Sequence, residues 1–89
     1  MQNAGKMAVR VRTDSLKFRS DNPLNDDGIS YWTKELSQNN FKGYNNLPNK
    51  HGDIAHIEVF KGTNIISNRN HRVAVLQKYK ITYVNVYYV

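Results

Sequence analysis

Residues that could bind and cleave a phosphate ester are concentrated in the last third of the chain. Residues 67–76 read Ser-Asn-Arg-Asn-His-Arg-Val-Ala-Val-Leu, at the point where a β-hairpin is expected to lead into a helix. The first turn of a helix has backbone N–H groups without intrahelical partners and carries the positive end of the helix dipole, so it attracts anions. The guanidinium group of Arg72 matches phosphate oxygens, and His71 titrates near neutral pH. This corner therefore predicts a phosphate site at which His71 moves a proton.

Two of these predictions have structural alternatives. Asn70 can instead cap the helix, which leaves His71 and Arg72 as a solvated first turn. Glu58, on the strand before the corner, can activate water or hold a divalent metal ion, and its alternative is a strand residue that faces solvent. The predicted catalytic residues are His71, Arg72 and Glu58.

Other chemistry-bearing residues form less specific patterns. His51, Asp53 and His56 lie within six residues, a spacing that suits either a metal site or ordinary surface loop residues. Basic side chains could follow a phosphate backbone or serve only as solvated charge: Arg10, Arg12, Lys17, Arg19, Lys42, Lys50, Lys78 and Lys80. Tyr44 and Trp32 are able to stack on bases, although Trp32 lies on a predicted core face.

Composition limits the classes of protein and partner. The chain has 89 residues, a formal charge of +6 and no cysteine. This length allows one domain, predicted at residues 8–89 after a polar lead-in at 1–7. The positive charge favours an anionic partner such as nucleic acid or a nucleotide, or serves solubility alone. The absence of cysteine excludes disulfides, Cys-based zinc sites and thiol nucleophiles, and neither a signal peptide nor an apolar run long enough for a membrane span is present.

Hydrophobic periodicity predicts the elements that must position the corner. Residues 8–13 alternate as a strand with Val9 and Val11 on one face. Ile29, Trp32 and Leu36 share a helix face, and this helix is expected to be capped by Asp26 or Asp27 and to end near 38–40. The remaining predicted segments follow in order: a long loop at 41–53, a hairpin of strands at 57–60 and 63–66, a helix capped by Asn68 or Asn70 and running to about Tyr79, and a strand at 83–89.

The chain resembles the ParB-like (ParB/sulfiredoxin) domain, most closely in two stretches. These are His-Ile-Glu-Val-Phe-Lys-Gly at 56–62 and Ile-Ile-Ser-Asn-Arg-Asn-His-Arg-Val-Ala-Val at 65–75. The family has there a PI-x-V strand, a hairpin, a DGNHR-like or GHRR-like turn and an Ala-rich helix. The tail at 81–86 looks like the closing strand of the family. The strand at 9–11 and the helix at 31–36 fit its opening elements loosely.

The resemblance implies a small α/β (α+β) domain, a β-sheet with a hairpin–helix–strand C-terminal half. It also implies a nucleotide or phosphate pocket at the hairpin–helix corner, lined by Asn68, Asn70, His71 and Arg72. Arg69 stands where the family usually has Gly, and either closes the pocket or adds a phosphate contact. Asn70 replaces the catalytic Cys of sulfiredoxins, which excludes their chemistry. Partition proteins carry Glu-Arg-Arg at 70–72 and need a helix-turn-helix domain that is not expected here.

The expected function is therefore that of a stand-alone ParB-like domain, similar to C-terminal payloads of bacterial polymorphic toxins. Such a payload would be a nuclease or nucleotide hydrolase, delivered by a secretion system into the cytoplasm of a target cell and covered by an acidic immunity protein. The alternatives are a non-catalytic nucleic-acid or nucleotide-binding module and a protein-interaction domain whose charge serves solubility. The sequence leaves open the choice of DNA, RNA or free nucleotide, the metal dependence and the oligomeric state.

Overall fold

The computed structural model describes residues 7–89, which form a small α+β domain with two helices and a four-stranded mixed sheet. The strands are β1 (Val9–Arg12), β2 (Glu58–Val59), β3 (Ile66–Asn68) and β4 (Tyr83–Tyr88), and the helices are α1 (Asp26–Gln38) and α2 (Asn70–Lys78). A 3₁₀ turn, Thr13–Ser15, follows β1. The predicted α+β class is confirmed. Apart from Met7, the predicted lead-in at 1–7 lies outside the described residues.

The sheet has the strand order β1-β4-β2-β3, which places the closing strand in the middle. β4 pairs antiparallel with β1 and parallel with β2, and β2 pairs antiparallel with β3. The hairpin of β2 and β3 leads directly into α2, and α2 returns the chain to β4 beside β2. This arrangement contains the predicted hairpin–helix–strand half and fixes the β3–α2 corner against the sheet.

The hydrophobic core lies between the sheet and the two helices, which pack against each other. The sheet contributes Val59, Ile66, Val84 and Val86, with Ile57 directly before β2. The helices contribute Trp32, Leu36, Val73, Val75 and Leu76. The predicted apolar face of α1 is confirmed, because Trp32 and Leu36 are buried and Ile29 packs against the same cluster. Within residues 7–89, neither helix is long and apolar enough to cross a bilayer.

The start of α1 differs from the prediction. Asn25 is the N-cap residue, and its side-chain oxygen accepts a hydrogen bond from the N–H of Gly28 at 2.7 Å. The prediction that Asp26 or Asp27 caps this helix is therefore wrong. Both aspartates lie in the first turn instead, where their negative charge interacts favourably with the helix dipole.

Two strand predictions also need correction. The return strand begins at Ile66 rather than at Thr63, because the N–H of Thr63 donates to the carbonyl of Phe60 at 3.0 Å and keeps residues 60–63 in the turn. Val9 was predicted on a buried face with Val11, but it is 41% exposed. β1 is an edge strand, and only Val11 of this pair packs against the core.

Candidate functional site

The β3–α2 corner is formed by a backbone conformation that few residues adopt. Arg69 lies between the strand and the helix with φ 69° and ψ 44°, in the left-handed region. It is the N-cap residue of α2 and makes no side-chain capping hydrogen bond, so the prediction that Asn68 or Asn70 caps this helix is wrong. A left-handed residue with a Cβ atom costs about 1–2 kcal/mol, and glycine avoids most of that cost. The turn at Arg69 directs the predicted site residues into three separate groups.

The first group contains Glu58, Asn68 and Arg69. A carboxylate oxygen of Glu58, Oε1, accepts a hydrogen bond from Asn68 Nδ2 at 2.8 Å and lies 3.5 Å from Arg69 Nη1. Glu58 is 7% exposed, so its interpretation as a solvent-facing strand residue is wrong. Asn68 and Arg69 thus supply the hydrogen bond and the positive charge that a carboxylate buried in this way needs.

The second group contains Asn70 and His71, which hold the segment before α1. Asn70 is buried and donates from Nδ2 to the carbonyl of Asn22 at 2.8 Å. His71 accepts a hydrogen bond on Nε2 from the backbone N–H of Asn25 at 3.0 Å. A neutral imidazole that accepts on Nε2 carries its proton on Nδ1. His71 can therefore donate a hydrogen bond to a phosphate oxygen, but it must release Asn25 before Nε2 can take up a proton.

This contact gives the stability a pH dependence. Partial burial lowers the pKa of His71 below its ordinary value of 6.5, because desolvation disfavours the imidazolium form. Below that ordinary value the unfolded chain binds the proton more readily than the folded chain does. The contribution of His71 to the free energy of unfolding is thus present above pH 6.5 and is lost as the pH falls through the lowered pKa.

We expect urea unfolding to show this loss between pH 7.5 and about pH 5. The comparison is with His71→Gln, whose side-chain oxygen can accept the same hydrogen bond and does not titrate. The wild-type protein should lose more stability than the variant on acidification. Equal losses in the two proteins would show that the Asn25–His71 contact does not depend on the charge state of the ring.

The third group is Arg72 alone, which points into the protein. Arg72 is 1% exposed. Its Nη1 donates to the carbonyl of Tyr44, at 2.8 Å, and to the carbonyl of Ala55. Its guanidinium carbon lies 4.0 Å from the centre of the Trp32 ring. Burial, and next the charge of Arg69, lowers the pKa of Arg72 to about 10, so it remains charged at neutral pH. Arg72 therefore holds the long loop in place through these two carbonyls. Its buried guanidinium group is not exposed to a ligand at the β3–α2 corner.

The predicted residues are thus adjacent in the backbone but do not converge on one point. Within residues 7–89, no hydrogen bond or ion pair joins Glu58 to His71 or to Arg72. The sequence analysis missed Asn25 and Gly28, which contact His71 from the start of α1. Asn25 precedes an Asp-Asp-Gly stretch and could have been identified as a cap, but its contact with His71 spans 46 positions and leaves no local signal.

The possible metal site at the end of the loop is not formed. Among the described residues, no three His, Asp or Glu side chains come together as potential metal ligands. His56 instead lies against Tyr87, with ring centres 4.7 Å apart, and its Nδ1 is 2.9 Å from the carbonyl of Asn45. His51 and Asp53 are exposed loop residues, which agrees with the surface alternative.

A cavity of about 240 Å³ adjoins the second group. Asn25 and Gly28, which contact His71, form one part of its wall. The rings of Tyr31 and Trp32 and the loop residues 49–51 form the rest. The ammonium group of Lys50 lies 5.9 Å from the centre of the Tyr31 ring. The cavity therefore combines aromatic surface with positive charge beside the first turn of α2.

Comparison with protein-family models, with curated proteins and with solved structures finds no match to this chain. The resemblance to ParB-like domains consequently stays a prediction.

Proposed function

We propose that this domain binds the phosphate group of a nucleotide or of nucleic acid at the β3–α2 corner. The observation that carries the proposal is the conformation of Arg69. Its left-handed backbone starts α2 without a side-chain cap, and its guanidinium group lies at the same corner. The first-turn N–H groups and an adjacent arginine are the two elements that hold phosphate at helix starts.

The charge distribution at the corner supports an anion rather than a cation. The contact between Arg69 and Glu58 is long, at 3.5 Å, while Glu58 keeps a shorter hydrogen bond from Asn68 at 2.8 Å. A phosphate could therefore draw Arg69 away without leaving the carboxylate unpaired. His71 adds a donor from Nδ1 while Nε2 accepts from Asn25. These groups favour binding over proton abstraction, because the nitrogen of His71 that could act as a base is already engaged.

The adjoining cavity offers a place for the rest of a nucleotide. Tyr31 lines this cavity together with the largely buried Trp32, and Lys50 adds a second positive charge. Nucleotide sites commonly combine apolar walls with a few polar groups that fix the orientation of the ligand. The position of this cavity beside His71 supports a free nucleotide, or a nucleotide at the end of a strand, as the ligand of the corner.

We also propose that the domain has a ParB/sulfiredoxin-like fold. The element order β1, α1, β2–β3 hairpin, α2 and β4 supports a ParB/sulfiredoxin-like fold. Hydrolysis of a phosphate ester, delivery as a toxin payload and capture by an acidic immunity protein stay predictions from the resemblance. The net charge of +6 supports acidic partners in general, since opposite charges accelerate association.

The test is titration calorimetry of the folded protein with ATP, CTP and inorganic pyrophosphate, using Arg69→Gly as the key variant. Removing a charge-assisted hydrogen bond should weaken phosphate binding by about tenfold or more. The same change should alter the stability little, because glycine relieves the left-handed strain while the long ion pair with Glu58 is lost and the hydrogen bond from Asn68 is kept. Denaturing gels of the same protein with labelled RNA and DNA show whether phosphate esters are cleaved.

Lys80→Gly is the matched control. Lys80 is also a left-handed, cationic residue, with φ 57°, but it follows the opposite end of α2. Glycine at position 80 should relieve the same backbone strain and leave the affinity unchanged. The proposal is wrong if the wild-type protein binds none of the three ligands, or if Arg69→Gly binds them as tightly as Lys80→Gly does.

A further inference from the structure

The face of the sheet opposite the helices carries a row of aromatic and cationic side chains. β1 and β4 pair with Arg10 opposite Asn85 and Arg12 opposite Tyr83, while Val11 opposite Val84 faces the core. Residues directly opposite each other in a sheet share a face, so these four side chains lie on the outer face, and Tyr87 continues their row along β4. We call these five residues, Arg10, Arg12, Tyr83, Asn85 and Tyr87, the outer sheet face.

Tyr83 is the more exposed of the two tyrosines in this row and lies at its β4 start. It is 44% exposed, and the guanidinium carbons of Arg10 and Arg12 lie 4.2 and 6.0 Å from the centre of its ring. Arg12 is also paired with Asp14 at 3.1 Å, whereas none of the described residues forms an ion pair with Arg10. Arg10 is therefore a cation at a tyrosine ring with its charge available to a ligand.

Two adjoining cavities extend along the outer sheet face. The first, of about 260 Å³, is lined by Arg10, Tyr44, Tyr83, Val84 and Asn85. The second, of about 280 Å³, shares Tyr44 and Asn85 with the first and continues past Lys42 to Tyr87. The hydroxyl of Tyr44 accepts a hydrogen bond from the N–H of Asn85 at 3.1 Å, which fixes this ring between the two cavities. The cavities thus form one track with a cation near each end.

We propose that this track binds single-stranded nucleic acid, with bases against Tyr83 and Tyr44 and phosphates held by Arg10 and Lys42. Exposed rings on a platform with adjacent cations are how proteins hold single strands without reading their sequence, because every base has a face that stacks. Tyr83 and Tyr87 are four residues apart on β4, or about 14 Å, which is long enough for more than one nucleotide. At its Tyr87 end the track borders Glu58 of the β3–α2 corner, but Tyr83, Tyr44, Arg10 and Lys42 are not part of that corner. The inference therefore goes beyond the function proposed for the corner.

The charges around the track favour an anionic strand over an acidic protein. The carboxylates at this face are already paired, Asp14 with Arg12 and Glu58 with Arg69. The backbone of Asn85 and the side chain of Asn45 hold the loop to β4, since Asn45 Nδ2 donates to the carbonyl of Asn85 at 2.9 Å. The groups that remain for a ligand are tyrosine rings, cations and the exposed side chain of Asn85, which suit bases and phosphates better than carboxylate side chains alone.

The experiment measures fluorescence anisotropy of labelled oligo-U and oligo-dT strands of about 12 nucleotides, within the usual range of site sizes. Tyr83→Ala should weaken binding of the strand by about 5- to 100-fold, and Tyr83→Phe should retain most of the affinity because it keeps the ring. Arg10→Gln should reduce the slope of log K against log salt by about 0.7. A duplex of the same length should bind more weakly, because its bases are stacked inside the helix. The RNA and DNA strands together show which sugar is preferred.

Tyr79→Ala is the matched control, since Tyr79 is also 44% exposed but lies at the end of α2 rather than on the sheet. It should leave the affinity for the strand unchanged. The proposal is overturned if neither strand binds, if Tyr83→Ala binds as tightly as Tyr79→Ala, or if poly-glutamate binds the wild-type protein as tightly as the strands do. ATP, CTP and pyrophosphate report on the corner through Arg69→Gly, so failure of one proposal is distinguishable from failure of the other.

Discussion

Replacing Arg72 with methionine is expected to lower the free energy of unfolding by about 2–4 kcal/mol. Methionine keeps much of the apolar stem of arginine but has no donor for the carbonyls of Tyr44 and Ala55. The Ala55 residue is 2% exposed, so its carbonyl loses its partner in a largely dry environment. Each buried acceptor left unpaired costs about 1–3 kcal/mol, and the cation–π contact with Trp32 is lost as well.

Part of this loss is offset, because a charge no longer has to be buried. The lowered pKa of Arg72, about 10, reflects that burial cost. For this reason the expected effect is smaller than the sum of the lost contacts. Against a total stability of about 5–15 kcal/mol for a domain of this kind, it is still large. Urea unfolding gives the magnitude, and Lys78→Met, an exposed change on the same helix, should alter stability by no more than about 0.5 kcal/mol.

Amide hydrogen exchange of Arg72→Met shows which part of the domain loses stability. Arg72 joins residues 44 and 55, so the loop between them should open before the rest of the domain in Arg72→Met. The amide of Ile57, which donates to Asn45 Oδ1 at 2.7 Å, is a suitable probe. A change of less than 1 kcal/mol, or exchange that accelerates equally in β4, would contradict the role given to Arg72.

The elements of this fold were largely predictable from the sequence, because each depends on a local pattern. Trp32 and Leu36 recur at helix spacing and are buried, and the alternation of Val84 and Val86 marks β4. The residues that cap the two helices were harder to predict. The prediction placed the caps on Asp26 or Asp27 and on Asn68 or Asn70, whereas the chain uses Asn25 and an arginine in the left-handed region. A preference for Asn, Asp and Ser at caps cannot anticipate a position that tertiary packing forces on Arg69.

The candidate site was predictable only as a stretch of sequence. Asn68, Arg69, Asn70, His71 and Arg72 do form the β3–α2 corner, but consecutive residues of a strand-to-helix turn point in different directions. The direction taken by Arg72 depends on the carbonyls of a loop 17 to 28 positions away, and that of His71 on a residue 46 positions away. The contact of His71 depends on the packing of α1 against α2, and those of Arg72 depend on the path of the loop. Neither has a local sequence pattern.

Glycine at position 28 is expected to be required only because His71 lies against it. A Cβ atom added to Gly28 would come within 2.5 Å of Cδ2 and 2.6 Å of Nε2 of the His71 ring. Gly28 is the third residue of α1, where alanine is otherwise favoured over glycine by up to about 1 kcal/mol. In the wild-type background, Gly28→Ala should instead destabilise the protein by about 1–3 kcal/mol, because the ring must move and release the N–H of Asn25.

The sign of this effect should reverse when the ring is absent. In a His71→Ala background, Gly28→Ala should raise the free energy of unfolding by up to about 1 kcal/mol, since only the helix preference remains. The double-mutant cycle over positions 28 and 71 should therefore give a coupling energy of about 1–4 kcal/mol. Ser30→Ala, an exposed change in the same helix, serves as the control and should have the same small effect in both backgrounds.

This cycle also tests whether His71 is a structural or a ligand-binding residue. If the coupling is large and His71→Ala leaves ATP, CTP and pyrophosphate affinity unchanged, the ring serves only to join α2 to the start of α1. If His71→Ala also weakens phosphate binding, Nδ1 acts as the donor expected at the corner while Nε2 holds Asn25. A coupling near zero would mean that the ring does not lie against Gly28 in solution. Nε2 of His71 would then not be held by the N–H of Asn25 and could act as a base.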